Sequence, residues 1–338
     1  MKHSLIFICL MFFFGCEKTS PQLELTGSTM GTYYRVLLIE PENGSLDSAR
    51  LHSDIERTLK SLNASLSTWI PNSEISLFNK STSTEPVTVS DGFYKNLQVA
   101  QEISEETNGI FDVTIMPLVN LWGFGWKGVP KEEVNQKVID SVMTFVGYKK
   151  LHLLQNNQIK KDHPKLQIDV ASLAKGYGVD EVAKCVSGYG VDRFLVEIGG
   201  EMVTRGLNSK QQKWRAGVEK PDLNQPYAKS IQQILQITDK AFATSGNYRR
   251  FYELNGKKYA HTMNPKTGRP AQTSIASVTV IANDCMTADA LATMLMAMDI
   301  DKGLTWVNSK KDIEALFILH EKEGFTEIYS DGFKQYIN

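Results

Sequence analysis

The sequence predicts an α+β fold, and three observations carry that expectation. Helix-like and strand-like periodicities are interspersed along the 338 residues without the regular strand–helix alternation of a doubly wound sheet. Hydrophobic residues make up 42% and charged residues 22%, near the averages for soluble globular proteins, which leaves a sizeable core and excludes a disordered chain or a multi-span membrane protein. No internal repeat or long low-complexity stretch divides the chain, which at roughly 150 residues per domain has room for about two domains or one large domain with two lobes.

At the N-terminus, Met1, Lys2 and His3 lead into an apolar run from Leu5 to Phe14, closed by Gly15 and Cys16. The run is shorter than the roughly 20 residues a bilayer span needs and has the shape of a signal peptide over residues 1–15. A generic cleaved signal reads the same residues, but Gly15 before Cys16 fits cleavage there with lipidation of Cys16, and Glu17 to Pro21 begins a polar tether over 16–24. The expectation is an exported bacterial lipoprotein, anchored to a membrane and facing the periplasm. Cys9 leaves with the signal, so only Cys185 and Cys285 remain in the body; an oxidising compartment would let the two pair, and single small buried thiols are the plainer reading.

Tyr33 to Ile39 reads as a strand. Asp47 is a plausible N-cap for a helix with Ile55, Leu59, Leu62 and Leu66 on one face. Val134, Val138, Val142 and Phe145 mark another helix. Arg193 to Ile198, Trp214 to Val218, Ser277 to Ala282 and Glu314 to Leu319 are strand-like, while Ser81 to Pro86 and Asn224 to Lys229 read as loops. Lys plus Arg is 37 against Asp plus Glu 38, a net charge of −1 that gives no general attraction to nucleic acid or anionic lipid. Any polyanion must be held locally.

Several familiar chemistries are excluded. Gly123 to Gly128 matches GxGxxG, but no β-rich run precedes it and Pro130 follows where a dinucleotide-binding helix should open. There is no P-loop, no zinc-like spacing of Cys or His, no GxSxG and no HExxH.

Three clusters remain. In Ile168 to Asp180 an Asp ends a β-like run, small residues open a helix whose amides can face an anion, and Lys175 lies about one turn in; an Asp N-cap with a solvated Lys reads the same residues. In Asp284 to Met298, Ala288, Leu291, Leu295 and Met298 form a buried face, while Asp289 and Thr293 project together, as suits a hard cation such as Mg²⁺; helix-start electrostatics is the plainer reading of Asp289. The third runs from Ala243 to Phe251 and on to the turns of His261 to Pro270, where His261 is either structural or a general base. Trp69 and the aromatic run Leu121 to Trp126 stack a planar ring or pack a core, with core the default.

Taken in register, these clusters resemble the ApbE family, the FAD:protein FMN transferases, from about Leu25 to Asp299. The resemblance also rests on Gly27 to Thr32, Leu66 to Trp69, Ser73 to Asn79, Gly109 to Gly125 and Glu197 to Glu201. It implies one two-lobed catalytic domain over 25–338, with mixed or antiparallel sheets flanked by helices. It implies FAD as substrate with Mg²⁺, and transfer of FMN through a phosphoester to a Thr or Ser of a partner flavoprotein with release of AMP. Met30, Trp69, Ile110, Phe111, Asp112, Asp169, Lys175 and Met263 would line the FAD site. Asp289, Thr293 and Ser172, the last through its carbonyl, would hold Mg²⁺, and His261 would be the base. The partner would carry an Asp-x-x-Ser/Thr-Gly-Ala-Ser/Thr pattern and belong to a membrane electron-transfer complex. Two alternatives share much of this chemistry: an FAD pyrophosphatase yielding FMN and AMP, and a non-catalytic FAD-binding lipoprotein.

Overall fold

The computed structural model describes residues 21–41, 46–125, 128–130, 132–221, 230–248, 250–322 and 324–337. The expected signal peptide, Cys16 and the loop at Asn224 to Lys229 lie outside the described residues. The first strand already begins at Gln22, inside the stretch expected as tether.

One antiparallel sheet of eight strands organises the fold. Its spatial order is Gln22–Thr29, Thr32–Ile39, Phe194–Ile198, Glu201–Arg205, Ala241–Gly246, Ile275–Ala282, Glu314–His320 and Phe325–Tyr329. The expected strand segments at 33–39, 193–198, 277–282 and 314–319 all fall in it, and all its pairings are antiparallel, so the α+β expectation holds. Alternation along each strand separates two faces. Phe194, Val196 and Ala241 face one helical layer, whereas Leu195 and Phe242 face the hairpin Trp214–Glu219 with Ile231–Ile237 on the other side.

The helical layer contains α1 (Ser48–Leu66), α2 (Glu74–Lys80) and α3 (Asp91–Glu106), followed by α4 (Met116–Leu121) and α5 (Gln136–Met143). Then come α6 (Ala174–Gly188), α7 (Cys285–Met296) and α8 (Ile300–Asn308). Asp47 caps α1 as expected, accepting from the Arg50 N–H at 3.0 Å, and Leu51, Ile55, Leu59, Leu62 and Leu66 are its buried stripe. In α5 the expected face is corrected. Val134 and Phe145 lie outside the helix, Val138 is 44% exposed, and Ile139 is the buried residue. Val142, as expected, and Met143 are partly buried and pack beside it on the same cluster.

α7 differs from a one-faced helix in the opposite sense, because ten of its twelve residues are buried and it runs between the sheet and α6. Gly176 makes that approach possible: a Cβ there would lie 2.2 Å from the Cys285 carbonyl oxygen. Asp180 fastens the same crossing by accepting the N–H groups of Cys285 and Met286, each at 2.9 Å. Cys185 and Cys285 are free thiols. Among the described residues no helix is long and apolar enough to cross a membrane.

Candidate active site

At the end of the central sheet where Thr244–Gly246 and the Gly199–Gly200 turn emerge, the helices leave a cavity of about 410 Å³. Both turn glycines have positive φ, 61° and 106°, which lets the chain reverse between two adjacent strands and deliver Glu201 to the cavity wall. α6 and α7 supply Lys175, Asp289 and Thr293 from a second side. The segment before α6 supplies Asp169 and Ser172, and the loop 261–265 closes a third side with His261 and Met263.

Lys175 Nζ donates to Glu201 Oε1 at 2.5 Å and lies 3.6 Å from Asp289 Oδ1. Asp289 is buried, and its other oxygen, Oδ2, accepts the Gly176 N–H at 3.0 Å. The amides opening α6 thus do face an anion, this chain's own carboxylate, and Asp169 does not cap that helix. Burial alone would lower the Lys175 ammonium, but the Asp289 and Glu201 carboxylates beside it outweigh that and hold it above its ordinary range. Burial pushes the Glu201 carboxyl up, and its Oε2 has no hydrogen-bond partner. Thr293 Oγ1 lies 3.0 Å from Ser245 Oγ.

His261 follows the strand Lys257–Ala260. Burial, with the Arg250 charge adding to it, pulls its imidazole from 6.5 down to about 4, so it is neutral at physiological pH. Its Nδ1 lies 3.3 Å from the Arg250 carbonyl. A carbonyl only accepts, so this contact puts the ring hydrogen on Nδ1 and leaves Nε2 as the proton-accepting atom.

Trp69, Ile110, Phe111 and Asp112 also line the cavity, so of the twelve residues expected at the site only Met30 is not brought to it. Met30 sits in the left-handed turn between the first two strands (φ 49°), with its thioether against Gly178 of α6. Asp112 reaches the wall, but its oxygens are taken up by the chain: Oδ1 accepts the N–H and hydroxyl of Thr114, and Oδ2 the Tyr148 N–H. Burial raises its carboxyl, as it does that of Asp169. Trp122 is core, 1% exposed, its indole donating to the Gly268 carbonyl at 2.8 Å, while Phe124 both packs in that core and touches the cavity.

Glu201 and Arg250 receive no role from the sequence, although both lie in quoted clusters. The lining holds Lys175 and Arg250 against Asp112, Asp169, Glu201 and Asp289, two cations and four carboxyls. The local hold on a polyanion that a nearly neutral chain requires is therefore not supplied by side-chain charge alone.

Fold and cavity together define an α+β enzyme whose site joins a buried lysine–carboxylate cluster to a neutral imidazole. The ApbE family model matches residues 30–317. Over 329 residues the chain is 39% identical to a FAD:protein FMN transferase of Vibrio cholerae, covering 97% of each chain. It is 32% identical to the protein of the same name in Escherichia coli strain K12, over 97% of this chain and 95% of that one. Among solved structures, flavin transferase ApbE from Vibrio cholerae is similar with a TM-score of 0.85 at 38% identity, covering 94% of this chain and all of that one. The apo form of Pseudomonas stutzeri flavinyl transferase ApbE gives a TM-score of 0.84 at 30% identity, over 94% of this chain and 97% of that one. The chain belongs to the ApbE family.

Proposed function

We propose that this enzyme transfers the FMN half of FAD to a Thr or Ser hydroxyl of a partner flavoprotein, releasing AMP. The observation that carries this reading is that Lys175, held by two carboxylates, and neutral His261 face one cavity. In the transfer, the acceptor oxygen bonds to the FMN phosphorus as the bond from that phosphorus to the AMP oxygen breaks. The hydroxyl proton passes to His261 Nε2, and AMP leaves with the electron pair. A hydroxyl is a poor nucleophile at neutral pH, and general-base help of this kind contributes about 10²–10⁴-fold. Lys175, held in place by its two carboxylates, presents a positive charge on the cavity wall.

Mg²⁺ belongs to the proposal, with Asp289, Thr293 and Ser172 as its protein ligands. The residues fit a hard cation because they offer oxygen donors only, and the buried Glu201 Oε2 beside them lacks a partner. Among the described residues no group of three or more His, Cys, Asp or Glu is placed to hold a metal. The remaining ligands would be diphosphate oxygens and water. When bound, Mg²⁺ offsets the charge of the diphosphate and of the departing AMP.

The acceptor pattern Asp-x-x-Ser/Thr-Gly-Ala-Ser/Thr is absent from this chain, so the target is a separate protein. Lipidation at Cys16 would hold the enzyme on the periplasmic side of a membrane, beside the flavoprotein subunit of an electron-transfer complex. Incubating the protein with FAD, Mg²⁺ and a target bearing the pattern should add the mass of FMN to the target by mass spectrometry. FMN and AMP with an unmodified target would mean FAD hydrolysis, and no AMP would mean flavin storage.

A further inference from the structure

The stretch from Leu166 to Val170 carries Asp169 to the cavity wall and leads into Ser172 and Lys175, yet it belongs to no sheet. It runs extended, with Leu166, Ile168 and Val170 fully buried and Gln167 and Asp169 facing the other way. On one edge it has a single bridge, Gln167 to Ile115, and the bond from the Asp169 N–H to the Val113 carbonyl at 2.8 Å.

The other edge is completed by side chains. Asn79, on α2, donates its amide to the Ile168 carbonyl at 2.8 Å and accepts the Ile168 N–H at 2.7 Å. A carboxamide carries the same donor and acceptor as a peptide unit, so Asn79 acts as a one-residue strand partner. Lys161 is 1% exposed and spends its three protons on the carbonyls of Phe78 (3.2 Å), Ser81 (2.7 Å) and Leu166 (3.1 Å). Both residues tie α2 to the Asp169 segment, and neither lines the cavity. At its other end, α2 is fastened by the bond from the Ser73 hydroxyl to the Ser67 carbonyl, next to Thr68 and Trp69 on the cavity wall.

We propose that Asn79, backed by Lys161, is a positioning residue of the site: by pairing with both backbone groups of Ile168 it sets the register of the Asp169–Ser172 segment against the Thr68–Trp69 wall. Extended chain has a side-chain period of two, so a slip of one residue would turn Asp169 away from the cavity. The effect on FAD rests on the function proposed above, while the effect on the segment does not.

The test compares Asn79→Ala, Asn79→Asp, which keeps the acceptor but sets a carboxylate oxygen against the Ile168 carbonyl, and Leu51→Ala, which opens a remote part of the core. Hydrogen exchange is read at the Ile168, Asp169 and Ala171 amides, and FAD Kd by flavin fluorescence. In Asn79→Ala, protection at Asp169 and Ala171 falls selectively and Kd rises by about tenfold or more, as expected when a ligand-binding wall loses its register. Asn79→Asp, with two acceptors facing each other at the Ile168 carbonyl, loses at least as much as Asn79→Ala. Leu51→Ala lowers thermal stability while Kd and those amides are unchanged. Unchanged Asp169 and Ala171 protection in Asn79→Ala, or equal loss in Leu51→Ala, overturns the proposal. If the parent binds no FAD, the functional reading fails, and the exchange data alone decide the role of Asn79.

Discussion

The sharpest consequence of the α6–α7 crossing concerns one methyl group. An alanine at position 176 would put its Cβ 2.2 Å from the Cys285 oxygen, 2.6 Å from the Cys285 carbonyl carbon and 2.8 Å from the Met286 Cα. All three are backbone atoms, so no rotamer relieves the clash, and the helices must part by about 1 Å to reach ordinary contact. The Gly176 N–H to Asp289 bond, now 3.0 Å, sits in that crossing and would stretch beyond hydrogen-bonding range. Overpacking costs about 1–3 kcal/mol and a lost bond to a buried carboxylate about 1.5–3 kcal/mol, so Gly176→Ala should lose roughly 2.5–6 kcal/mol. Because Lys175 and Asp289 separate together, transfer should fall by about 10²-fold even in the folded fraction. Gly188→Ala, at the end of the same helix with nothing within 4 Å of the added atom, is the matched control and should be neutral or slightly stabilising. The assay is thermal unfolding beside FMN transfer. A Gly176→Ala protein with parental Tm and parental turnover would refute the reasoning.

Other outcomes follow from the same geometry. With His261 held near 4, the free enzyme should keep its base form down to about pH 5, well below the midpoint of an ordinary imidazole; an NMR titration of the ring with a midpoint near 6.5 contradicts this. The sign for stability matches: the folded pKa is below the unfolded one, so this group's contribution is present above pH 6.5 and is lost as pH falls towards 4. Asp289→Ala should abolish transfer without unfolding the protein, and unchanged turnover sinks the metal assignment. Cys16→Ser should move the protein from the membrane fraction to the soluble exported fraction, and continued membrane association would remove the case for a lipid anchor.

Much of the fold was legible because its elements have local causes. Asp47 caps α1 through a bond three residues away, and the central strands Phe194–Ile198 and Ile275–Ala282, buried at every position, read as short apolar or β-branched runs. What escaped depends on partners distant in the chain. α5 buries Ile139 most deeply because of what it packs on, and a local window gives the exposed Val138 equal weight. At the site, Asp289 is satisfied by Gly176, 113 residues away, and Lys175 by Glu201, 26 residues away. Neither spacing is a pattern that periodicity can detect. Asn79 was visible only as part of a motif, since its partner Ile168 lies 89 residues on.

The charge balance of the cavity joins these points to the chemistry. A nearly neutral protein must hold a polyanion locally, yet the wall carries twice as many carboxyls as cations. Burial raises Asp112, Asp169 and Glu201, which makes each less costly to hold beside a diphosphate. The first is wholly engaged by Thr114 and Tyr148, and the second accepts the Ala171 N–H. That leaves Asp289 and Glu201 as the carboxylates closest to Lys175, their positive partner. A diphosphate entering this cluster would compete with them for Lys175 unless further positive charge arrives with it. On this account the affinity for FAD should rise steeply with Mg²⁺, and a Kd by flavin fluorescence that does not change with Mg²⁺ would count against it.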